Sequence, residues 1–273
     1  MSTNYRLVVL DIDGTILTSK QELSSRVRSV IKAIRQQGIY VTLATGRRPT
    51  AALPWAKALD IDIPIIAHNG GVILHPHDGR VLFSKGIELT LAKKLQQELV
   101  QARIPHLVYR GEDAGNIGML ARDFLQTKAQ FLADIDDQVF VADTVEFGQA
   151  VVKFAVLDTL THIQPRLARW FQVYGDGAAL TVYSSPLYLG VDFVASQCSK
   201  ASGVSVVLKE LELDFSQVVA IGDDVNDREL IMQAGFGVAM LNASETVKKE
   251  ADYVTTETND EDGVAQVLED IFL

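Results

Sequence analysis

Residues 7–15 read Leu7-Val8-Val9-Leu10-Asp11-Ile12-Asp13-Gly14-Thr15, and the architecture of the chain can be worked out from this stretch. Four successive apolar residues without polar alternation predict a fully buried strand, of the kind found in the middle of a parallel sheet. Two carboxylates follow at the carboxyl end of that strand, where ligands bind in open α/β sheets. The glycine allows a sharp turn behind them. We therefore expect a ligand site directly after the first strand.

The two aspartates, Asp11 and Asp13, indicate a cation at this site. At about 4 Å and an effective dielectric constant of about 20, two carboxylates repel each other by roughly 4 kcal/mol. A divalent cation removes this repulsion, and an all-oxygen ligand set favours Mg²⁺. A calcium loop starting at Asp11 would place its acid at Glu22 but would need glycine where Ile16 stands. A plain Asp-Gly turn after a strand is the alternative that this stretch, taken alone, leaves open.

The composition of the 273 residues is ordinary for a globular protein, with 48% hydrophobic and 22% charged residues. The net charge of −10 disfavours nucleic acid and anionic membranes as partners. We see no apolar stretch of about 18 residues that could span a membrane, and the two early aspartates argue against a signal peptide. The single cysteine, Cys198, excludes an internal disulfide, so we expect a cytoplasmic location.

The first part of the chain alternates predicted strands and helices, as proteins with a parallel sheet do. Apolar positions from Leu23 to Ile34 mark one face of a helix, which Ser24 or Ser25 caps and Gln36-Gln37-Gly38 closes. A strand is predicted over 39–44 and runs into Thr45-Gly46-Arg47. A shorter helix is expected around 53–59, with Pro54 in its first turn, and a third strand over 64–67 ends in His68-Asn69-Gly70-Gly71. Strands joined by helical crossovers are parallel, so three polar, glycine-bearing loops should meet at one sheet edge.

The pattern changes after residue 71. Two short β segments flank His75-Pro76-His77-Asp78-Gly79, which we interpret as a solvated hairpin tip and not as a metal site. An amphipathic helix follows over 88–101. Residues 104–187 then mix strands and helices without regular alternation, and 114–137 carry no pattern that we can assign. We therefore predict an α+β domain over 85–187, inserted into a core formed by 1–84 and 188–273.

The α/β rhythm returns near residue 188. A strand over 191–195, a loop holding Lys200 and a helix over 204–211 lead to a strand ending in Gly222-Asp223-Asp224-Val225-Asn226-Asp227. This strand repeats the opening design, an apolar run that ends in acids. Strands over 236–240 and 253–254 and helices over 244–250 and 263–272 complete the core. The predicted fold class is α/β, a Rossmann-like parallel-sheet core with an inserted α+β domain.

The predicted sheet edge collects acids together with groups that bind anions. They are Asp11, Asp13, Thr45, Arg47, Asn69, Lys200, Asp223, Asn226 and Asp227. The acids can hold Mg²⁺, and the remaining groups can hold a tetrahedral anion beside it, which is what phosphoryl transfer requires. A carboxylate can also be the nucleophile. The sequence contains neither the Walker spacing nor a G-x-S-x-G elbow, which excludes P-loop and serine-hydrolase chemistry.

These motifs resemble those of the haloacid dehalogenase superfamily, and more narrowly of the Cof-like phosphatases, which carry a large α/β cap after the third core strand. The resemblance rests on Asp11-Ile12-Asp13-Gly14-Thr15, Thr45-Gly46-Arg47, Asn69-Gly70, Lys200 and Gly222-Asp223-Asp224-Val225-Asn226-Asp227, and extends to Met240-Leu241-Asn242-Ala243 and Glu261-Asp262-Gly263-Val264-Ala265. It covers both core segments in order, whereas the cap matches by place and size. Ala201 stands where relatives usually carry glycine.

The resemblance implies a role for each matching residue. Asp11 is the expected nucleophile and an Mg²⁺ ligand, and Asp13 is the general acid and base, whose backbone carbonyl also binds the metal. Asp223 is the third protein ligand, and Asp227 supports the ligands from behind. Thr45, Gly46, Arg47, Asn69, Lys200 and Asn226 are expected to bind the substrate, with Thr45, Lys200 and Asn226 on the phosphoryl oxygens.

The expected activity is Mg²⁺-dependent hydrolysis of small phosphorylated metabolites, sugar phosphates first, through an aspartyl-phosphate. A phosphomutase with the same core is one alternative, and a non-catalytic sensor of Mg²⁺ and a phosphorylated metabolite is another. Asp13 argues against the sensor, because binding alone needs no proton donor. The only partner we expect is the small substrate. The sequence leaves its identity and the oligomeric state open.

Overall fold

A computed structural model describes residues 4–110, 119–120, 140–141, 150–184 and 187–273, and the chain divides into two units. The first unit comprises Met1–Leu82 and Ser199–Leu273, and the second comprises Phe83–Cys198. The strands are β1 Leu7–Leu10, β2 Tyr40–Leu43, β3 Ile65–Ala67, β4 Val72–Leu74, β5 Val81–Ser84, β6 His106–Arg110, β7 Met119–Leu120, β8 Phe140–Val141, β9 Val151–Thr159, β10 Ala178–Ser184, β11 Tyr188–Ala195, β12 Val218–Gly222, β13 Phe236–Ala239 and β14 Tyr253–Val254. The described helices are α1 Ser25–Gln36, α2 Pro49–Ala58, α3 Leu89–Gln101, α4 Leu160–Tyr174, α5 Lys200–Leu211, α6 Arg228–Gln233, α7 Glu245–Lys248 and α8 Gly263–Phe272.

The first unit is built on a parallel sheet with the strand order β14-β13-β12-β1-β2. β1 lies between β2 and β12 and pairs in parallel with both, Leu7 standing opposite Tyr40 and Val218. All four residues of β1 are fully buried. This position explains the unbroken apolar run, because a central strand covered on both faces has no side that prefers polar residues. The predicted α/β fold of the core is confirmed.

β3 extends this sheet only in part. A single parallel bridge joins Ile66 of β3 to Ala44, just after β2, and β3 then pairs antiparallel with β4 in a separate sheet of order β3-β4-β5. The predicted direction of the third strand is therefore correct, although its main pairing is with the following hairpin. Between β4 and β5 the N–H of Gly79 donates to the carbonyl of His75, which closes a five-residue turn.

The helices of the first unit follow the predicted periods, with one difference at α2. The Ser24 hydroxyl caps α1 by accepting from the N–H of Val27, and α1 packs against α8. The prediction that α2 starts near residue 53, with Pro54 in its first turn, is wrong. The helix begins at Pro49, a residue suited to the first helical position because it has no N–H to satisfy, and Pro54 lies inside the helix.

The second unit contains a mainly antiparallel sheet of order β10-β11-β9-β6-β7-β8. Its core is aromatic: Phe193 of β11 makes edge contacts with Trp170 and Tyr174 of α4, at ring-centroid distances of 5.4 and 5.9 Å. Such edge-to-face pairs add to the free energy gained from burial. Apart from residues 119–120, the stretch 114–137, for which no element was predicted, lies outside the described residues.

The predicted boundary at residue 188 is wrong. β11, of which residues 191–195 had been assigned to the core, pairs antiparallel with β9 and β10 and belongs to the second unit, which ends at Cys198. The error has a physical cause: a buried strand shows the same apolar run whether its neighbours are parallel or antiparallel. The first boundary falls between Leu82 and Phe83, two residues before the predicted one.

Candidate active site

The loops that follow β1, β2 and β12 start side by side at the carboxyl edge of the parallel sheet. Leu10, the last residue of β1, stands opposite Leu43 and Ile221. One residue further, the N–H of Asp11 donates to the carbonyl of Ile221 at 3.1 Å. The parallel register therefore brings together the polar loops that the sequence places after each strand.

Lys200 joins two aspartates in the interior of this edge. Its ammonium group donates to Oδ1 of Asp11 at 2.6 Å and to Oδ1 of Asp227 at 2.7 Å. All three side chains are buried, that of Lys200 completely. Charges in such a place persist only when they are paired and hydrogen-bonded, because each would otherwise incur a large desolvation cost. The structure thus brings together three predicted site residues from distant parts of the chain.

Lys200 is the first residue of α5, so the predicted loop at this position is wrong. The helix starts here because Ser199 and Ser202 form a capping box, in which each hydroxyl accepts from the backbone N–H of the other residue, at 3.1 and 2.9 Å. Gly70 allows the approach of this helix start, since a Cβ at that glycine would lie 2.1 Å from the carbonyl oxygen of Ser199. Two serines three residues apart were the sequence signal for the helix start.

The buried acids outnumber the buried cation. Burial raises the pKa of Asp11 well above its ordinary value, although the charge of Lys200 opposes this effect. Burial and then the charge of Asp227 raise the pKa of Asp223 to about 7. Burial by itself would lower the pKa of Lys200, but the charges of Asp11 and Asp227 outweigh it and the pKa is raised. The single positive charge of Lys200 therefore offsets only part of the charge of these three carboxylates, and the cluster keeps a net negative charge.

The three carboxylates have the spacing of a metal site. One oxygen each of Asp11, Asp223 and Asp227 lies within 4.8 Å of the others. The Thr15 hydroxyl donates to Oδ1 of Asp223 at 3.2 Å, and Gly14 makes room for the same carboxylate, because a Cβ there would lie 2.3 Å from Oδ2. An all-oxygen donor set with excess negative charge fits a divalent cation such as Mg²⁺.

Asp227 is committed to protein donors on both of its oxygens. Oδ1 accepts from Lys200, and Oδ2 accepts from the backbone N–H groups of Asp223 and Asp224, each at 3.2 Å. Gly222 accommodates this side chain, since a Cβ there would lie 2.3 Å from the carboxyl carbon of Asp227. This geometry suits a residue that fixes the loop and the lysine, whereas Asp11 and Asp223 suit direct contact with a metal.

The carboxylate of Asp13 lies outside the group of three acids and pairs with Arg47. Nε and Nη2 of Arg47 donate to Oδ2 and Oδ1 of Asp13 at 2.7 and 2.6 Å, a side-on pair with two parallel hydrogen bonds. Burial alone would raise the pKa of Asp13, but the hydrogen bond and charge of Arg47 outweigh it, and the pKa is lowered. The predicted acid/base residue is therefore ionised in this geometry.

The remaining predicted residues form a hydrogen-bonded group in the loops after β2 and β3. The Thr45 hydroxyl accepts from the N–H of Arg47 at 3.1 Å, and the Thr45 carbonyl accepts from the N–H of Asn69 at 3.0 Å. The side chain of Asn226 donates to Oδ1 of Asn69 at 2.9 Å, beside Gly46, where a Cβ would approach Asn69 to 3.1 Å. Asn69 has a left-handed backbone, with φ of 52°, a strain that often marks functional loops.

Two residues that the sequence analysis gave no role also belong to this edge. The Asn242 side chain donates to the carbonyl of Gly14 at 2.8 Å and so fixes the turn behind Asp11. Gln21 accepts a hydrogen bond from Nη2 of Arg47. Asn242 lies in a stretch that carries the family resemblance, so the sequence contained a signal that could have identified it. Gln21 is an exposed loop residue, and no local pattern distinguishes it.

Among the residues that the structure describes, no helix is both long enough and apolar enough to span a membrane.

The comparisons with known proteins agree with the geometry of the site. The family model described as haloacid dehalogenase-like hydrolase matches residues 8–268. The chain is 28% identical to the Bacillus subtilis protein named stress response protein YhaX, over 98% of this chain and 93% of that protein. It is 27% identical to the Bacillus subtilis 5-amino-6-(5-phospho-D-ribitylamino)uracil phosphatase YcsE, over 97% of this chain and 95% of that protein.

The fold agrees as well. A crystal structure of a haloacid dehalogenase-like hydrolase from Bacteroides thetaiotaomicron superposes with a TM-score of 0.79 at 32% identity, covering 98% of this chain and 100% of the other. The sequence motifs, the parallel sheet with its acidic edge and these similarities lead to one assignment. The chain belongs to the haloacid dehalogenase-like hydrolase family.

Proposed function

We propose that this protein is a Mg²⁺-dependent phosphatase that hydrolyses small phosphorylated metabolites, sugar phosphates first, through an aspartyl-phosphate formed on Asp11. The chain is a phosphoric monoester hydrolase of the haloacid dehalogenase type. The observation that carries the mechanistic proposal is the buried cluster in which Lys200 contacts Asp11 and Asp227 while Asp223 stands beside them. A buried carboxylate that contacts a cation and lies beside two further carboxylates is arranged to react with a phosphoryl dianion.

In the proposed mechanism Asp11 attacks the phosphorus atom and the leaving-group oxygen departs. Lys200 holds one oxygen of Asp11 and so orients the other, while its charge offsets that of the phosphoryl group. Asp11, Asp223 and the backbone carbonyl of Asp13 are the proposed Mg²⁺ ligands, and Asp227 keeps Lys200 and the acidic loop in place. Bound Mg²⁺ would neutralise charge on the acids and on the phosphoryl oxygens. Water then cleaves the acyl phosphate on Asp11 and regenerates the carboxylate.

Asp13 is the proposed general acid and base. Paired with Arg47 it is an ionised carboxylate, a form that can accept the proton of the attacking water in the second half of the reaction. In the first half Asp13 has to carry a proton, which it donates to the leaving-group oxygen while Arg47 remains beside it.

The phosphoryl oxygens are proposed to bind to Thr45, Lys200 and Asn226. Gly46 is a further proposed substrate contact, and Arg47 and Asn69 are proposed to border the substrate. The hydrogen bond between Asn226 and Asn69 supports this grouping, because it links the two loops that would enclose the anion. The Oδ1 atom of Asn226 is buried and finds no hydrogen-bond partner among the residues that the structure describes, so a donor group of the substrate or a water molecule would satisfy it. We place the enzyme in the cytoplasm.

We further propose that the second unit acts as a cap that selects the substrate, while the first unit is the catalytic core. The first unit contains the described cluster of acids, whereas the second unit is built around an aromatic core and a separate sheet. The proposed site residues bind the phosphoryl group and the metal, so other residues have to recognise the organic part of the substrate. The relative named as a phosphatase of a phosphoribitylamino-uracil supports testing sugar-alcohol phosphates beside sugar phosphates.

The decisive experiment measures phosphate release from a panel of phosphorylated metabolites with Mg²⁺ and with excess chelator. We expect turnover only with Mg²⁺. When the Asp11→Asn variant is mixed with substrate and quenched in acid, we expect no phosphate bound covalently to the protein. Equal rates in chelator would refute the metal dependence, and a phosphorylated Asp11→Asn enzyme would refute the nucleophile. A requirement for a bisphosphate activator would instead identify a phosphomutase, and binding without turnover would identify a sensor.

A further inference from the structure

Gln21 contacts the Arg47 member of the Asp13–Arg47 pair. Nη2 of Arg47 donates to Oε1 of Gln21 and also, at 2.6 Å, to Oδ1 of Asp13. The guanidinium of Arg47 therefore links the Asp13 carboxylate to the Gln21 amide. The sequence pattern predicts no role for Gln21.

The loop that carries Gln21 is held by its own backbone. Leu17 and Leu23 form an antiparallel bridge, and within it the N–H of Thr18 donates to Glu22 at 3.0 Å and the N–H of Gln21 donates to Thr18 at 2.8 Å. The backbone of Gln21 is left-handed, with φ of 61°. Glycine adopts this conformation without strain, whereas a side chain here has a conformational cost. The backbone hydrogen bonds of the loop therefore hold the Gln21 side chain in a defined position.

The Asp13–Arg47 pair needs such a support. The Asp13 side chain is 49% exposed, and an ion pair in contact with water gains little free energy because solvent screens it and both side chains lose rotamer freedom. A third polar partner removes alternative rotamers of Arg47, so the two parallel hydrogen bonds keep one geometry. Acid/base catalysis depends on that geometry, since a proton is transferred only across a short, aligned contact.

We infer that Gln21 is a positioning residue of the catalytic apparatus: it fixes the Arg47 guanidinium side-on to Asp13 and thereby orients the Asp13 carboxylate toward the leaving-group oxygen. The inference rests on the proposed function, in which Asp13 protonates that oxygen. Gln21 itself touches neither substrate nor metal in this role. Its removal leaves the nucleophile, the metal ligands and Lys200 in place.

The experiment uses two variants and two substrates with different leaving groups. Gln21→Met removes the amide at nearly constant size, and Gln21→Gly removes the side chain while easing the left-handed backbone, so at least one variant keeps the fold. We measure kcat/KM with Mg²⁺ for phenyl phosphate and p-nitrophenyl phosphate, because this ratio covers the steps up to leaving-group departure. Phenolate needs a proton donor far more than p-nitrophenolate does. We expect about a tenfold loss on phenyl phosphate and less than about a twofold loss on p-nitrophenyl phosphate.

Gln36→Met is the matched control, because Gln36 is exposed at the end of α1 and the substitution is the same. A crystal structure of Gln21→Met gives a readout that is independent of turnover: we expect Arg47 to leave its side-on position on Asp13. An unchanged Arg47–Asp13 pair, or equal losses on both substrates, would overturn the inference. Absence of turnover by the unmodified protein would refute the proposed function, and the crystal structure would still decide whether Gln21 holds Arg47.

Discussion

At the scale of single residues, Lys200 determines the charge balance of the site. We expect Lys200→Met to lower turnover by at least about 10²-fold, because the charge that offsets Asp11 and the phosphoryl group is lost. The same change leaves two buried carboxylates without their cation, so the free energy of unfolding of the metal-free protein should fall by roughly 3–5 kcal/mol. Phosphate release and chemical denaturation measure the two effects.

The matched control for this prediction is Lys209→Met, which removes an exposed lysine from the last turn of the same helix. It should change both quantities little, since single exposed charges contribute little to stability. Turnover of Lys200→Met within a factor of about two of the unmodified enzyme would contradict the role assigned to this lysine.

Asp223 gives the site a pH dependence that Mg²⁺ should reverse. Its pKa in the folded protein is raised from 3.8 to about 7 by burial and then by the charge of Asp227. The folded state therefore holds this proton more tightly than the unfolded state, so stability from this group is present below about pH 4 and is lost as the pH rises through about 7. A cation that binds the ionised carboxylate restores stability in the same range.

We accordingly expect the increase in Tm on adding Mg²⁺ to be small near pH 5 and to grow toward pH 8, as measured by thermal unfolding with and without the ion. Asp223→Asn should abolish most of this growth, because the amide does not titrate. An increase in Tm that is independent of pH, or one that persists in the variant, would argue against Asp223 as a metal ligand.

At the scale of elements, the site depends on how closely α5 approaches the loop after β3. Gly70 and Gly38 have nearly the same left-handed φ, 87° and 83°, but a Cβ on Gly70 would collide with the Ser199 carbonyl, whereas Gly38 has open space around it. We expect Gly38→Ala to cost about 1 kcal/mol from backbone strain alone, and Gly70→Ala roughly 2–4 kcal/mol from strain plus the clash.

Because the clash falls on the residue that caps α5, Gly70→Ala should also reduce turnover by moving Lys200, while Gly38→Ala should not. Chemical denaturation and phosphate release on the pair test both parts. If the two substitutions destabilised the protein equally, the close approach of α5 to this loop would not be a structural requirement.

At the scale of the whole molecule, the division into two units separates the chemistry from the proposed choice of substrate. We expect that replacing Phe83–Cys198 by the matching segment of a relative changes the order of preference among phosphate esters. Mg²⁺ dependence and the need for Asp11 should persist, because the residues that supply them lie in the other unit. Initial rates on one substrate panel, before and after the exchange, measure the effect.

The control for the exchange is the same chimera carrying Asp11→Asn, which should be inactive on every substrate. An unchanged order of preference in an active chimera would show that the second unit does not select the substrate, and would return that role to residues of the first unit.

The sequence alone was sufficient for the elements whose pattern is local. The apolar run of β1 and the acidic ends of β1 and β12 predicted the parallel sheet and its functional edge, because a central strand must be apolar on both faces. The period of α1 and its serine cap predicted that helix to within two residues at either end, and the bounds of α8 were predicted as observed. These features follow from rules that relate neighbours along the chain.

Only the tertiary structure decided which distant residues meet. It placed β11 in the second unit, brought Lys200 onto Asp227 as well as Asp11, and placed Arg47 between Asp13 and Gln21. Sequence periodicity reports whether a residue is buried but not which partner buries it, and an exposed glutamine in a loop has no periodicity at all. Whether two groups form a hydrogen bond or an ion pair depends on differences of a few tenths of an ångström in their separation. These separations are fixed only in the complete fold.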